Sequence, residues 1–300
     1  MLKNAFVALL LSCASAAWSA VPLRSAHALV LDAATGQVLL EKDATTPAPI
    51  ASMTKLMTAM VVLDAHLPPD EVVRIDKEDY DTLKFTKSGV PAGSILSRED
   101  ALTLALMSSD NHAAAALART YPGGRTAFLD AVKLKIAALH LENTVIEEPT
   151  GLSPNNHATA HDMAKILKAA SAYPEIAVAT SQRGDTIAVN GRRRNFHNTN
   201  GLVGAPGWEI TASKTGFTNE AGRCVSMRLE SAGRSILVVL MGAVDSSKRT
   251  LDALDIRRWL GGEQDTTVAS NGRAAEPRAR TAARRSGSRK PVRRTVSVSY

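Results

Sequence analysis

The 300-residue sequence predicts an α/β domain in which strands and a helix at each end bracket a helical middle. Three observations indicate this arrangement. Runs of β-type composition lie near the beginning of the chain, further runs of the same type follow Trp208, and the segments between them carry helix-capping signals. The two strand-containing halves are therefore expected to form one unit, with a helical subdomain inserted between them.

The first predicted element is a β-hairpin. In AHALVLDAATGQVLLEKDA, the runs from Ala26 to Leu31 and from Val38 to Lys42 flank a Thr35-Gly36 turn. Two prolines then end the extended part, and an apolar helix begins near Ser52. Ser52 therefore lies at or just inside a helix N-terminus, where backbone N–H groups lack intrahelical partners.

The middle of the chain, residues 66–199, is predicted to be mostly helical. Capping boxes of the Ser/Thr-x-x-Asp type at Ser97-Asp100 and Thr159-Asp162 predict two helix starts, and NHAAAALART between them is rich in alanine. YPGG and EEPTGLSPNN contain the glycine and proline residues that are typical of connections between helices.

From Trp208 onward the pattern returns to strands. WEITASKTG, GRCVSMRLE and RSILVVLMGA have the composition of strands, and SAGR between the last two predicts a hairpin turn. SSKRTLDALDIRRWL predicts a final helix that ends near Gly262. The α/β part thus comprises residues 21–65 and 200–262.

The amino-terminal end differs from this domain. Residues 1–20 contain Lys3, an apolar block too short to span a bilayer, and then small residues, so we expect a secretory signal peptide and a soluble or peripherally held periplasmic protein. LLSC, ending at Cys13, also resembles a lipoprotein box, which leaves a lipid anchor as an alternative. If Cys13 leaves with the signal, Cys224 is the one remaining thiol, and an internal disulfide is impossible.

The carboxy-terminal segment, residues 263–300, is strongly basic. Between Arg273 and Arg294, nine basic residues and Glu276 give a charge of +8, whereas the whole chain carries +7, so the rest of the chain is near neutral. Because this segment has few large apolar residues, we expect it to be disordered. It is either an electrostatic contact with the wall or a membrane surface, or a passive solubilising end. Nucleic acid is not an expected partner of an exported protein.

SMTK, from Ser52 to Lys55, places a hydroxyl and an amine three residues apart at a helix start. Side chains at i and i+3 of a helix are neighbours. The amine can therefore remove the serine proton if burial or a nearby cation lowers the lysine pKa. The same four residues also fit a helix start beside an ordinary solvated lysine, so the motif alone does not decide.

Two later segments favour chemistry. SSDN places Ser109 to Asn111 between two predicted helices, and SKTG places Lys214 to Gly216 in a predicted strand. The intervals, 57 residues from Ser52 to Ser109 and 105 from Ser109 to Lys214, suit residues that a fold brings together. Each segment has an ordinary alternative, a helix cap for Ser109-Asp110 and a solvated edge-strand lysine for Lys214. All three motifs together favour an active site.

Two further patterns are interpreted without a catalytic role. Ser153-Pro154-Asn155 also fits S-x-N, but it lies in a loop rich in proline and glycine and is interpreted as turn chemistry. The seven histidines are scattered, so neither a metal nor a cofactor is expected.

The motifs S-x-x-K, S-D-N and K-T-G, in this order, are typical of class A β-lactamases and penicillin-binding proteins. The chain resembles the low-molecular-mass penicillin-binding proteins, which are the D-alanyl-D-alanine carboxypeptidases and endopeptidases of bacterial cell walls. The resemblance covers about Ala26 to Gly262, through SMTKLMTAMVVLDA, SSDNHAAAALA, YPGG, EPTGLS, NTNGLVG and KTGFTNEAGRC. It implies a β-lactamase/transpeptidase-like fold, an antiparallel sheet flanked by helices with an inserted all-helical subdomain.

The resemblance also implies an activity and its partners. SDN and KTGFTN are similar to the endopeptidase type, which cuts D-alanyl to diaminopimelate cross-bridges, and a carboxypeptidase that trims terminal D-alanine is the alternative. The implied partners are peptidoglycan stem peptides, with β-lactam antibiotics as covalent inhibitors.

Residue roles follow from the same resemblance. Ser52 is expected to be the acylated nucleophile and Lys55 its base. Ser109 is expected to relay a proton to the leaving amine, and Asn111 to orient Lys55 or the substrate amide. The implied substrate-binding residues are Lys214, Thr215, Gly216 and Phe217. Within that set, Lys214 also helps to keep Lys55 neutral, Thr215 binds the terminal carboxylate, and the Phe217 N–H completes an oxyanion hole with the Ser52 N–H.

Two rival functions remain. A class A β-lactamase shares the fold and the motifs, but its deacylating glutamate belongs to E-x-x-L-N, whereas EPTGLS places Leu152 one residue later after Glu148 and lacks the asparagine. This departure predicts slow release of penicillin. The other rival is a wall-binding protein that has lost catalysis, and the intact Ser52, Lys55 and Lys214 argue against it.

Overall fold

The structure, a computed structural model, describes residues 21–261. The signal peptide predicted at residues 1–20 and the basic tail predicted at 263–300 lie outside the described residues.

The described chain alternates strands and helices along its whole length. Its strands are β1 (His27–Asp32), β2 (Val38–Lys42), β3 (Ala48–Pro49), β4 (Val72–Arg74), β5 (Ile95–Ser97), β6 (His157–Ala158), β7 (Gly184–Val189), β8 (Arg192–His197), β9 (Glu209–Thr218), β10 (Gly222–Ser231) and β11 (Arg234–Ala243). Its α-helices are α1 (Lys55–Asp64), α2 (Arg98–Met107), α3 (Asn111–Arg119), α4 (Gly124–Ala138), α5 (Ala160–Ala170), α6 (Pro174–Ser181) and α7 (Ser246–Leu260). Short 3₁₀ helices span Ala51–Thr54 and Lys77–Asp79.

Five antiparallel strands form the central sheet in the order β2-β1-β11-β10-β9. The predicted amino-terminal hairpin is confirmed as β1-β2. The SAGR turn is confirmed between β10 and β11, where Ala232 and Gly233 both have positive φ, as the tightest hairpin turns require. Strand β9, which carries the KTG motif, lies at an edge of this sheet.

The sequence of β11 is continuously apolar because both faces of the strand are buried. Val238 and Leu240 pack with Ile256 of α7 in one cluster on one face of the sheet, whereas Val239 and Met241 belong to the larger cluster on the other face. A strand covered on both faces has no polar side, so it reads as an unbroken apolar run. The sheet is therefore the middle layer between α7 and the remaining helices.

Helix α1 lies inside the larger cluster, and every side chain from Lys55 to Val62 is buried. A helix that is apolar on all sides is stabilised by packing on all sides. Its only charged group in that stretch, Lys55, is therefore held within the core beside the turn that carries Ser52.

The helices of the middle part begin where the capping boxes predict. Ser97 Oγ accepts from Asp100 N at 3.0 Å at the start of α2, and Thr159 Oγ1 accepts from Asp162 N at 3.1 Å at the start of α5. The domain limits at residues 65 and 200 remain predictions.

The inserted part is not all-helical, however, and this detail of the prediction is wrong. It also contains the β4-β5 pair and the β7-β8 hairpin. The missed signal is Asn190-Gly191, a dipeptide typical of tight hairpins, which follows the alternately buried Ile187 and Val189. None of the helices within residues 21–261 is long and apolar enough to cross a membrane.

Candidate active site

Ser52 lies in the 3₁₀ turn Ala51–Thr54 that leads into α1, so the helix predicted near Ser52 begins with a tighter turn. Ala51 immediately before it has a φ of 47°, a backbone conformation that L residues seldom adopt. The Ser52 side chain is half-buried. The turn therefore holds a partly accessible hydroxyl at a fixed position in front of Lys55.

Lys55 is 1% exposed, and three oxygens surround its amine. Nζ lies 2.8 Å from Ser52 Oγ, 2.6 Å from Asn111 Oδ1 and 2.7 Å from the Thr150 carbonyl oxygen. The last two groups can only accept, so they take two N–H bonds of the amine. The remaining tetrahedral position of Nζ faces Ser52, and in a neutral amine it is a lone pair.

Burial favours that neutral form. Desolvation lowers the pKa of Lys55 from 10.5 to about 8, although the carboxylates of Glu148, Asp110 and Asp81 act in the opposite direction. A lysine that is partly neutral at physiological pH can act as a general base. The solvated-lysine alternative does not describe this residue.

Ser109 and Asn111 lie at the α2-α3 junction. Ser109 has a φ of 60°, and Asn111 is the first residue of α3. Asn111 Nδ2 donates to Thr86 Oγ1 at 2.7 Å, which turns Oδ1 of the same amide towards Lys55. Both side chains are half-buried, as Ser52 is, and line the same site.

Asp110 between them is structural. Its carboxylate caps α3 by accepting from Ala113 N, and it also accepts from Ser88 Oγ and Gly89 N. The capping alternative from the sequence is therefore correct for Asp110, but not for the Ser109 side chain.

Lys214 of β9 contacts Ser109 from the sheet side of the site. Its amine donates to Ser109 Oγ at 2.8 Å and to the Thr215 carbonyl oxygen at 3.1 Å. The residue is 1% exposed, so it is not the solvated edge-strand lysine of the alternative interpretation. Burial, and then the nearby Lys55 charge, lower the pKa of Lys214 well below its ordinary value.

Two glycines let separate segments approach the Ser52 turn. A Cβ on Gly216 of β9 would lie 2.9 Å from the Ile50 carbonyl oxygen and 3.2 Å from Ser52 N. A Cβ on Gly151 would lie 1.9 Å from the Ala51 carbonyl oxygen, and the φ of Gly151 is +83°. The glycine of KTG is therefore required by the close contact between strand and turn.

We expect Gly151→Ala to lower the free energy of unfolding by about 3 kcal/mol, through both its left-handed backbone and this contact. Gly36→Ala is the matched control, because Gly36 has a φ of +74° but nothing within 4 Å of the added carbon. The control should lose only about 1 kcal/mol. Equal losses in urea denaturation of the two variants would show that the contact at Gly151 is unimportant.

Thr215 and Phe217 flank Gly216 on β9. Thr215 is buried, and its hydroxyl lies 2.7 Å from that of the exposed Thr199. Phe217 is 45% exposed, and the Arg223 guanidinium stacks on its ring at 3.6 Å. Strand β9 thus places the Thr215 hydroxyl, paired with that of Thr199, before Gly216 and an exposed aromatic ring after it.

The Glu148 carboxylate is used within its own loop. It accepts from Thr150 N at 2.7 Å, Gly151 N at 2.6 Å and Asn156 Nδ2 at 2.9 Å. These bonds hold the loop that supplies the Thr150 carbonyl oxygen to Lys55. Glu148 therefore acts on the site indirectly, by fixing the loop that contacts Lys55.

A loop of the inserted part reaches the turn after β9. Lys84 donates to the Glu220 carboxylate. This bond is the main reason that the pKa of Glu220 falls to about 2. The pair joins the two sides of the site at its edge.

The structure brings together all eight residues of the predicted site. Thr86, Thr150 and Thr199 also contact these residues and were not predicted from the sequence. Thr150 and Thr199 lie in EPTGLS and NTNGLVG, segments that carried the resemblance, whereas no motif marks Thr86. The rejected Ser153 makes a turn contact, since its Oγ accepts from Asn155 N at 3.2 Å. No group of three or more His, Cys, Asp or Glu side chains within residues 21–261 could hold a metal ion.

Comparison with known proteins matches residues 14–245 to the family described as D-alanyl-D-alanine carboxypeptidase. A D-alanyl-D-alanine endopeptidase of Pseudomonas aeruginosa is 43% identical over 256 residues, covering 84% of this chain and 82% of the relative. One from Escherichia coli is 42% identical, covering 79% and 77%. A D-alanyl-D-alanine carboxypeptidase of E. coli is 30% identical, covering 80% and 63%.

Solved structures give the same result. The crystal structure of the Streptomyces K15 DD-transpeptidase has a TM-score of 0.75 at 25% identity, covering 81% of this chain and 99% of that one. A D-alanyl-D-alanine carboxypeptidase from Mycobacterium tuberculosis has a TM-score of 0.74 at 26% identity, covering 84% and 96%. The predicted transpeptidase-like fold is confirmed.

Proposed function

The chain belongs to the D-alanyl-D-alanine carboxypeptidase family, and we propose that it is an endopeptidase that hydrolyses the D-alanyl bond of peptidoglycan cross-bridges through an acyl-enzyme on Ser52. The observation that carries this proposal is the buried Lys55 amine 2.8 Å from Ser52 Oγ. The endopeptidase assignment is supported by the higher identity to the endopeptidases, 43% and 42%, than to the carboxypeptidase, 30%.

Acylation begins with proton transfer. The two N–H bonds of neutral Lys55 point to Asn111 and Thr150, so its lone pair faces Ser52 and accepts the Ser52 proton. Ser52 Oγ then attacks the D-alanyl carbonyl carbon. The negative oxygen that forms is stabilised by the N–H groups of Ser52 and Phe217, an arrangement typically worth a few kcal/mol of the barrier. The close packing of Gly216 against Ser52 N supports this placement.

Ser109 protonates the leaving amine. Its oxygen already accepts from Lys214 Nζ, so its own proton is free to point into the site. Ser109 gives this proton to the amine, and its oxygen takes a replacement proton either from Lys214 or from Lys55, which holds the proton removed from Ser52. The scissile C–N bond then breaks, and water later releases the acyl group.

The carboxylate beside the leaving amine is bound at β9. The Lys214 amine and the hydroxyls of Thr215 and Thr199 donate hydrogen bonds to it. Hydrolysis of a penicillin adduct is expected to be slow, because Glu148 is engaged by the backbone of its own loop. This favours a penicillin target over a β-lactamase.

The cellular setting is part of the proposal. The sequence of residues 1–20 supports export to the periplasm, and the charge of residues 263–300 supports contact with the wall or a membrane surface. Sedimentation with sacculi at low salt, compared between the full chain and a variant that lacks residues 263–300, measures this contact with the wall.

A substrate comparison tests the endopeptidase assignment. Given cross-linked dimeric muropeptides and monomeric pentapeptides, the protein should cleave the D-alanyl to diaminopimelyl bond with a kcat/KM at least about tenfold above that for release of terminal D-alanine. Mass spectrometry of the products distinguishes the two reactions, and penicillin-treated protein is the control. Release of D-alanine with intact dimers would instead identify a carboxypeptidase.

A further inference from the structure

A cavity of about 600 Å³ lies between the base of the β7-β8 hairpin and the loop that follows it. Arg183, Asp185, His197, Asn198 and Asn200 contribute to its wall. None of these residues takes part in the acylation steps above, although the cavity is large enough for several amino-acid residues.

The cavity is next to the carboxylate-binding end of the site. Thr199, between two of its wall residues, contacts the Thr215 hydroxyl at 2.7 Å. Ser108, which precedes Ser109, donates to the His197 carbonyl oxygen at 3.3 Å. The segment 197–200 thus forms both a wall of the cavity and a border of the active site.

The cavity wall includes polar side chains beside Phe196 and Val203. The Arg183 guanidinium is exposed and makes no ion pair or hydrogen bond with any residue between 21 and 261. Its stem is confined, because a Cβ on Gly204 would lie 2.4 Å from Arg183 Cδ. Asn198 is anchored, since its Nδ2 donates to the Thr180 and Gln182 carbonyl oxygens.

Asn200 supplies a second polar group. The residue is 3% exposed, its Oδ1 accepts from Leu202 N, and its Nδ2 is buried without a partner among the described residues. A buried amide without a partner is unfavourable, so a small shift that brings it an acceptor is favoured.

Charge at this surface favours an acidic ligand. The wall carries one basic and one acidic side chain, Arg183 and Asp185. The Asp185 carboxylate accepts from Thr186 N and Gln182 Nε2, whereas the Arg183 guanidinium has no partner among residues 21–261. An acidic peptide entering beside Arg183 therefore meets complementary charge.

We propose that this cavity binds the acceptor stem peptide, the acidic peptide attached to the leaving amine, with Arg183 pairing with one of its carboxylates. The inference rests on the proposed endopeptidase function. A leaving D-alanine ends at the Thr215 and Thr199 hydroxyls, whereas a leaving diaminopimelyl residue continues beyond them into its own stem peptide. Arg183 is therefore a specificity residue for cross-linked substrates.

The test measures a ratio, the kcat/KM for cross-linked dimers divided by the rate constant of acylation by benzylpenicillin, which has no acceptor peptide. Arg183→Gln should lower this ratio about tenfold, chiefly through KM, and Arg183→Lys should restore most of it. Asp185→Asn should instead raise the ratio, because it removes the carboxylate of the cavity wall, which repels an acidic acceptor.

Arg234→Gln is the charge-matched control, since Arg234 begins β11 and does not line the cavity. Wild-type protein that cleaves dimers while Arg183→Gln and Asp185→Asn leave the ratio unchanged would overturn this inference alone. Wild-type protein that reacts with penicillin but leaves dimers intact would overturn the endopeptidase proposal and this inference together.

Discussion

The Ser52→Ala variant is expected to form no covalent adduct with benzylpenicillin and to lose at least about 10⁴-fold in kcat/KM on cross-linked muropeptides. The loss is large because the alanine removes the proposed nucleophile, the Ser52 oxygen 2.8 Å from the Lys55 amine. Intact-mass measurement over time detects the adduct, and wild-type protein should carry a single one that persists for many minutes.

Ser153→Ala is the matched control. Ser153 also belongs to an S-x-N sequence, but its hydroxyl accepts from Asn155 N in a turn. This variant should be acylated as wild type is. Persistence of the adduct in Ser52→Ala, or its loss in Ser153→Ala, would contradict the assignment of the nucleophile. A fleeting wild-type adduct with consumption of penicillin would indicate a β-lactamase.

The acylation rate is expected to rise with pH through about 8. Burial lowers the pKa of Lys55 to about 8, and only the neutral amine has a lone pair for the Ser52 proton. Below that pKa the neutral fraction falls tenfold per pH unit, so the rate constant at pH 8 should exceed that at pH 6 by about 50-fold. Stopped-flow acylation by benzylpenicillin, whose own charge is constant over this range, measures the profile.

The fluorescence of Trp208 and Trp259 across the same range is the control for an intact fold. A profile that is flat from pH 6 to 8 would show that Lys55 is not the group that accepts the proton. A rate that falls as pH rises would mean that the protonated amine is the reactive form, which contradicts the mechanism.

Much of the fold could be predicted from local sequence patterns. The β1-β2 hairpin, the β10-β11 turn and the helix starts at Ser97 and Thr159 each depend on a few adjacent residues, so their signals survive without tertiary information. The β7-β8 hairpin was missed, although Asn190-Gly191 marks it, because its arginine-rich second strand lacks a buried alternation.

For the site, the sequence by itself predicted which groups come together. Ser52, Lys55, Ser109, Asn111 and Lys214 were found because motif spacing specifies residue types. Only the tertiary structure decided their burial, their pKa values and their hydrogen-bond partners. Burial lowers the pKa of Lys55, and one of the three oxygens around its amine is a backbone carbonyl oxygen, which any residue type at position 150 supplies.

The tertiary structure also decided the role of Glu148 and the surroundings of Arg183. A carboxylate in a loop can face a substrate or its own backbone, and the choice depends on how residues 148–156 fold. Desolvation and hydrogen-bond partners come from residues far apart in the chain. These long-range terms set pKa and specificity, and no local pattern records them.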